Sequence, residues 1–600
     1  MISNNNNDNN NSTNNTNTSI DNGGDSIHHD DNKLEYEPLL INRHPHPHSK
    51  QGNVSYDMDD FKNQIGYKQQ QEDGIYQNSN LSTPVSIKST TSLAPGQLKK
   101  NALGLVHCLG CSISGVGPTC GIFLVCPQIA KVAGPQVPFT LILAAICCLS
   151  MASTISTFGK YIYSSASFYQ YVSEGLGGLV GFITGWIMLV AYGILSVQTI
   201  IQFSSWTSDV IRTNTGFDLP WIVCGIVAIG IISSLAFIGI NPVLKISLIL
   251  VLCETIITFV LTVVIVAKGG AEGNYPLAFT PVGGSVSGMA RGLVFSILVF
   301  VGFETAAILG AETRNPTKII PQAVVGSVLI TAIWLVWGMY AIIVACGPSQ
   351  AYNLYSVSAP IDLFAREYVG RWFAVFIDLA GISTTFNVST VAFNNMYRIL
   401  YSVGKAKLST TSNKLGITSK RFKTPVVAIV CFSVFQIISI GIVAAIFGNH
   451  TEGSWLAYSY LSYVGTIPLI IVFIITNIAV IPYMTNNHRD QFSYFYNMAL
   501  PIFSAVLFSL VLFGNFYPDV PTPPNSYLLI ALMAILLFGI ALGFYLKRIP
   551  GFFKTMLHHI SDDGNTSMNH HPEEVVEEEQ EKFKHIDEKD EIIRADLPIN

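Results

Sequence analysis

Residues 112–123 read SISGVGPTCGIF, and residues 295–316 read FSILVFVGFETAAILGAETRNP. Each lies inside an apolar run long enough to cross a bilayer, which takes about 20 residues. Each also carries residues that stop a helix. In the first, Gly115, Gly117, Pro118 and Gly121 fall within seven positions. Pro118 lacks an amide donor and clashes with the preceding turn. Each glycine costs a helix roughly 1 kcal/mol relative to alanine. In the second, Gly302 and Glu304 stand in mid-run. A carboxylate at the bilayer centre costs at least ~3 kcal/mol on insertion scales, so Glu304 is expected to face the bundle interior or a water cavity. Unwound backbone in lipid survives only where it lines a cavity or is buried in protein. Both runs are therefore read as interrupted helices. A kinked helix packing through small residues is the alternative for the first.

Around these two runs the spacing predicts twelve spans, near 102–130, 137–158, 178–204, 219–238, 243–267, 289–311, 320–346, 371–400, 424–447, 455–482, 498–516 and 525–546. The expected fold is an all-α polytopic membrane protein. The interrupted runs are spans one and six, the first members of two groups of five. Paired broken helices at corresponding positions point to a transporter built from an inverted repeat. At a break, free N–H groups attract a carboxylate, and free C=O groups attract an ammonium or another cation. One site can thus hold a zwitterion.

Composition agrees. The chain has 600 residues, 50% hydrophobic and 12% charged, against about a quarter charged in soluble domains. Residues 1–100 and 549–600 together hold 13 basic and 25 acidic residues, whereas 101–548 hold 20 basic and 13 acidic. This excludes a soluble globular enzyme and a basic nucleic-acid binder as defaults. The domain reading is an Asn-rich cytosolic tail at 1–100, a transporter domain at 101–548 and an acidic cytosolic tail at 549–600. The first twenty residues contain ten Asn and cannot bury a core, and no cleavable signal peptide is visible there. All ten Cys lie between Cys108 and Cys431, nearly all in apolar runs, and read as small packing residues. HPHPH at 44–48 is a weak metal candidate in the tail. There is no phosphate-binding Gly-x-x-x-x-Gly-Lys loop, no clustered metal motif and no cofactor signal.

The run VFVGFETAAILGAETRNPTKIIPQAV at 299–324 resembles the sixth-helix signature of the amino acid–polyamine–organocation (APC) superfamily, through Gly302, Phe303, Glu304, Glu312, Asn315, Pro316 and Pro321. YIYSSASFYQYVSEGLGGLVGFITGW at 161–186 resembles the family's segment between helices two and three, through Tyr169, Gly178, Gly181, Gly185 and Trp186. The resemblance covers about 102–546. It implies twelve helices, the first ten forming a LeuT-like five-plus-five inverted repeat with discontinuous helices 1 and 6. It also implies carriage of amino acids or related amines. By position, the backbone of Ser114, Gly115, Val116, Gly117, Pro118, Thr119, Cys120 and Gly121 would receive the substrate carboxylate. The backbone of Phe300, Val301, Gly302 and Phe303 would receive the amino group, and the Phe303 ring can close over it. Two features depart from the family: Thr119-Cys120-Gly121 is displaced beside Gly117-Pro118, and span two, MASTISTFGKY, lacks the common carboxylate. Where many proton-coupled relatives place a lysine in helix five, this chain has Glu254.

Glu254, Glu304 and Asp378 are each read two ways, as coupling groups for protons or cations, or as structural contacts. Tyr161, Tyr163, Tyr458, Tyr460 and Tyr463 are read as interface or packing aromatics, without a site role. Lys and Arg in the short loops number seventeen on one side and six on the other, which puts both tails in the cytosol. Asn449-His450-Thr451 is then an outside glycosylation sequon. LEYEPLL at 34–40 has the spacing of sorting signals, with Glu35, Leu39 and Leu40 as an acidic dileucine and Tyr36 with Leu39 as a tyrosine motif. Sorting adaptors are the expected partners of that tail. The membrane is the plasma membrane or an endolysosomal one. The leading reading is secondary active amino acid transport, by proton symport or exchange. The alternatives are a transporter-like amino acid sensor, a carrier of polyamine, choline or GABA-like amines, and a channel.

Overall fold

The structure, a computed structural model, describes residues 101–356, 360–406, 414–419, 424–516 and 525–561. The sorting residues Glu35, Tyr36, Leu39 and Leu40, the HPHPH run, most of the basic loop 405–423 and the acidic run after 561 lie outside them. Among the described residues there is no strand, only an isolated bridge between Leu103 and Thr313.

The chain order is helical throughout. The first apolar stretch is divided into α1 (Leu105–Val116), α2 (Pro118–Cys120), a π turn (Gly121–Val125) and α3 (Cys126–Ala133). A 3-10 turn, Gly134–Gln136, leads into α4 (Val137–Gly159), and a short helix, α5 (Ser167–Leu176), precedes α6 (Gly178–Thr215). Then come α7 (Trp221–Ile238), α8 (Ile240–Lys268), α9 (Val286–Phe300), α10 (Thr305–Ile308) and α11 (Pro316–Cys346). The remainder is α12 (Pro360–Tyr368), α13 (Arg371–Lys405), α14 (Val426–Phe447), α15 (Thr451–Asn487), α16 (Leu500–Gly514), α17 (Asn525–Leu546) and α18 (Phe552–Ser561).

Ten helical stretches are long and apolar enough to cross a membrane. The share of each apolar window buried inside the protein sorts them. It is 72% for α15 and 67% for α13, but 33% for α8 and α14 and 28% for α17. On α8 the outward residues are Ile249, Leu252, Ile256, Phe259 and Val260, all exposed. A helix apolar on every face belongs in lipid. The inner helices pack lengthwise: α15 and α13 along α6, and α11 along α4 and α1. These contacts hold α1–α3 and α9–α10, the two broken segments, in the centre.

The helix α18 falls within the stretch read from the sequence as the C-terminal tail. Its Met556 and Ile560 are buried in a small cluster with Ala166, Tyr169, Phe182 and Ala406. Phe553 packs so close to Gly178 that a Cβ there would sit 2.4 Å from the Phe553 Cβ.

Candidate functional site

At Gly117 the first apolar helix stops. Its φ is +56°, in the left-handed region, and its amide donates to the Ile113 carbonyl at 3.0 Å. The helix restarts at Pro118, where a missing amide costs nothing because first-turn donors have no intrahelical partner. A residue with a Cβ at 117 would meet the Val388 Cγ2 atom at 2.1 Å. The π turn follows, a local insertion often found where helices serve function.

The second break begins after Phe300. Val301 is extended, with ψ at 128°, and Gly302 has a φ of +117°. Helix resumes at Thr305. The two breaks touch. An ideal Cβ on Gly302 would lie 2.4 Å from the carbonyl carbon of Gly115. Side chains complete the joint. Ala306 donates its amide to the Ser112 hydroxyl at 3.1 Å, and Asn395 on α13 donates to the Thr305 hydroxyl at 2.9 Å.

Glu304 is fully buried beside this joint. One carboxylate oxygen accepts the Gly302 amide at 3.0 Å, and the other accepts the Tyr192 hydroxyl from α6. The carboxylate therefore holds main chain that the break has freed and ties it to a neighbouring helix.

A cavity of about 70 Å³ lies against the two breaks. Of the sequence-expected residues, Gly115, Val116, Cys120, Gly121, Val301 and Gly302 line it. Ser114, Gly117, Pro118, Thr119, Phe300 and Phe303 do not line it, although all six are buried. Phe303 instead packs on Phe473, with ring centroids 5.9 Å apart. The Ser114 and Thr119 hydroxyls, on either side of Gly117, are buried without hydrogen-bond partners. Polar residues not singled out in the sequence also line it: Tyr192, Ser196, Gln198, Thr199 and Gln202 from α6, and Asn395 from α13; so does Tyr458 from α15, to which the sequence alone assigns no site role. Gln202 donates to the Cys120 sulfur at 2.9 Å and to the Tyr458 hydroxyl at 3.2 Å. The readable signal was polar residues spaced by four on an apolar helix: Gln198 with Gln202, and Ser454, Tyr458 and Ser462.

Glu254 on α8 is 1% exposed. It does not line this cavity; it accepts the Ser383 hydroxyl of α13 at 3.2 Å and lies beside Thr384. Asp378 is farther out, bonded to Asn214 at 2.9 Å, in the wall of a larger vestibule. Asn449 is exposed, two residues ahead of α15. At the other end of α1, Arg398 and Glu312 form a buried ion pair at 2.8 Å. The Glu312 carbonyl accepts the amides of Ala102 and Leu103, which fixes the start of α1 to the segment after α10. All ten Cys are free, and most are buried; Cys253 and Cys431 are exposed and Cys346 is partly so. No group of His, Cys, Asp and Glu suited to a metal occurs among the described residues.

Apolar helices in this number define a multi-pass integral membrane protein. Residues 103–557 match the family described as Amino acid permease, and the chain belongs to that family. The APC resemblance therefore holds, and the family consists of transporters, not enzymes. The chain is 25% identical over 327 residues to the branched-chain amino acid permease BcaP of Bacillus subtilis (strain 168), covering 51% of this chain and 68% of the relative. It is 28% identical over 261 residues to the BcaP protein of Lactococcus lactis subsp. cremoris (strain MG1363), covering 40% and 55%. It is 24% identical over 296 residues to the serine/threonine exchanger SteT of Bacillus subtilis (strain 168), covering 48% and 65%. The matched part thus spans between about half and two thirds of these relatives' lengths.

Proposed function

We propose that this protein is a secondary active amino acid transporter working by alternating access. The observation that carries the reading is the direct contact of two interrupted helices, Gly115 against Gly302, beside a buried cavity. Main-chain groups at α1–α2 face the substrate carboxylate, and those at Phe300–Phe303 face its amino group. Val116, Val125, Leu195, Leu298 and Val391 make much of the lining apolar, which suits a neutral aliphatic side chain. The branched-chain substrates named for two relatives fit that surface.

Twelve crossings in a five-plus-five inverted repeat are part of the proposal. The stretch Leu105–Gly159 is 55 residues long and contains a turn at Gly134–Gln136, which supports two crossings there. The short apolar helix Val286–Phe300, continued beyond its break by α10, supports another. The Lys and Arg asymmetry supports a cytosolic position for both tails. The plasma membrane or an endolysosomal membrane, sorting adaptors at Glu35–Leu40 and a glycan on Asn449 belong to the same proposal. Glu254, buried on α8 and bonded to the Ser383 hydroxyl of α13, is the proposed proton or cation coupling group.

The test is uptake of a panel of labelled amino acids into proteoliposomes under an imposed pH gradient. Saturable uptake with counterflow is expected, and none for any amino acid would refute the carrier. Glu254→Gln is expected to take up substrate without response to the gradient. A variant that responds as the parent does would remove Glu254 from coupling.

A further inference from the structure

Gln198 and Gln202 stand one turn apart on the same face of α6. Both line the cavity beside the two breaks, and so does Asn395 of α13. These carboxamides differ in what they still have free. Gln202 donates through its amide group to the Cys120 sulfur and the Tyr458 hydroxyl, so its Oε1 atom remains. Asn395 donates to the Thr305 hydroxyl, so its Oδ1 atom remains. Gln198 is 4% exposed, and among the described residues neither end of its amide has a hydrogen-bond partner. It is also not among the buried side chains whose unpartnered polar atoms are sealed from water. Its small exposure is therefore at the amide, and the space that the amide opens to is the cavity.

Charge and size limit what can sit there. No Asp, Glu, Lys, Arg or His lines the cavity. A charged ligand side chain would be buried without a counter-charge, which is strongly disfavoured. At about 70 Å³ the space is small beside pockets for drug-sized ligands, so the side chain must be short. A purely aliphatic side chain would leave the Gln198 amide desolvated, with neither donor nor acceptor paired. A hydroxyl both accepts and donates. It can accept from the Gln198 amide and donate to a free carboxamide oxygen.

We propose that Gln198 is a specificity-determining residue that selects amino acids with a hydroxyl on a short side chain, threonine above valine. The proposal rests on the carrier reading of this cavity, in which the main chain at the breaks takes the zwitterion. Val116, Leu298 and Val391 supply an apolar wall for the methyl group of threonine, and Gln198 takes the hydroxyl. Threonine and valine have nearly the same shape, so the difference between them isolates the hydrogen bond. A site built to bond a substrate hydroxyl rejects the analogue lacking it far more strongly than an apolar pocket rejects an added hydroxyl.

Binding of labelled L-threonine to the purified full chain tests this, with unlabelled L-threonine and L-valine as competitors and uptake into proteoliposomes measured in parallel. Saturable threonine binding is expected, with valine competing at least tenfold more weakly. Gln198→Met keeps an unbranched side chain without the amide, and is expected to bring the two competitors within about twofold of each other. Gln198→Leu serves in its place if Gln198→Met does not fold. A change that only disturbs packing weakens both competitors and leaves their ratio as in the parent. That result would overturn the proposal, as would valine competing as well as threonine in the parent, or no threonine binding. Threonine binding with the expected ratio but no uptake of any amino acid would refute the carrier and keep the role of Gln198. Uptake of other amino acids without threonine binding would do the reverse.

Discussion

Glu304 carries two bonds on two different oxygens, to the Gly302 amide and the Tyr192 hydroxyl. A glutamine can present only one acceptor oxygen, so Glu304→Gln must point an NH2 group at one of the two donors. A buried donor left without its acceptor costs about 1–3 kcal/mol. Tyr192→Phe removes a donor and leaves a carboxylate oxygen exposed to that loss alone. The expected result is that Glu304→Gln lowers thermal stability in detergent more than Tyr192→Phe does. The double variant should lose less than the sum of the two, because both act on one bond. Additive losses would show that the bond does not couple the two helices. The role of Glu304 was half legible: a mid-span carboxylate announces an interior position, but nothing in the sequence names Tyr192 as its partner. Tyr458 was less legible still. A tyrosine near a span's end reads as an interface aromatic, and only the packing of α15 along α6 turns it inward.

The helix breaks themselves were the most readable elements, because Gly and Pro act locally. The four residues at 115–121 stop a helix wherever it sits, and the structure stops it at Gly117. The anchoring of each broken segment is not local. The start of α1 is held by the Glu312 carbonyl, and Glu312 in turn by Arg398 of α13, 86 residues later in the chain. Removing one member of a buried ion pair commonly costs about 3–5 kcal/mol because the other charge is left unpaired. Arg398→Met is therefore expected to lower the unfolding midpoint sharply, and Arg398→Met with Glu312→Gln to recover part of it. Since Cys108 and Cys111 are buried in this region, loosening it should raise their labelling by a maleimide, read peptide by peptide in a mass spectrometer. Unchanged labelling in a destabilised Arg398→Met would show that the pair supports the fold without holding α1.

For the chain as a whole, the boundary between bundle and tail falls later than composition suggests. The segment after α17 looks like the start of a polar tail, yet Phe552, Phe553, Met556, Leu557 and Ile560 recur at helical spacing, and α18 is folded against α5 and α6. A short amphipathic stretch of ten residues is easily hidden beside a long charged one. Fully burying a side chain such as Met or Ile contributes about 1.5–3 kcal/mol at most. Removing residues 562–600 is expected to leave uptake and thermal stability unchanged, whereas removing 550–600 should lower stability by several kcal/mol. A carrier keeps its flux in the first truncation; a protein that signals through its tails would lose its output there. If both truncations unfold alike with the parent, α18 contributes nothing to the bundle.

The meeting of Gly115 and Gly302 has a genetic consequence. Every missense change in a glycine codon installs a β-carbon. At 302 that carbon would fall on main chain, 2.4 Å from its neighbour, and main chain cannot rotate aside. At 115 it would meet the Val391 and Thr305 side chains at 3.1 and 3.3 Å, which can yield. Codon 302 should therefore drift only at its silent third base, while codon 115 tolerates an occasional alanine.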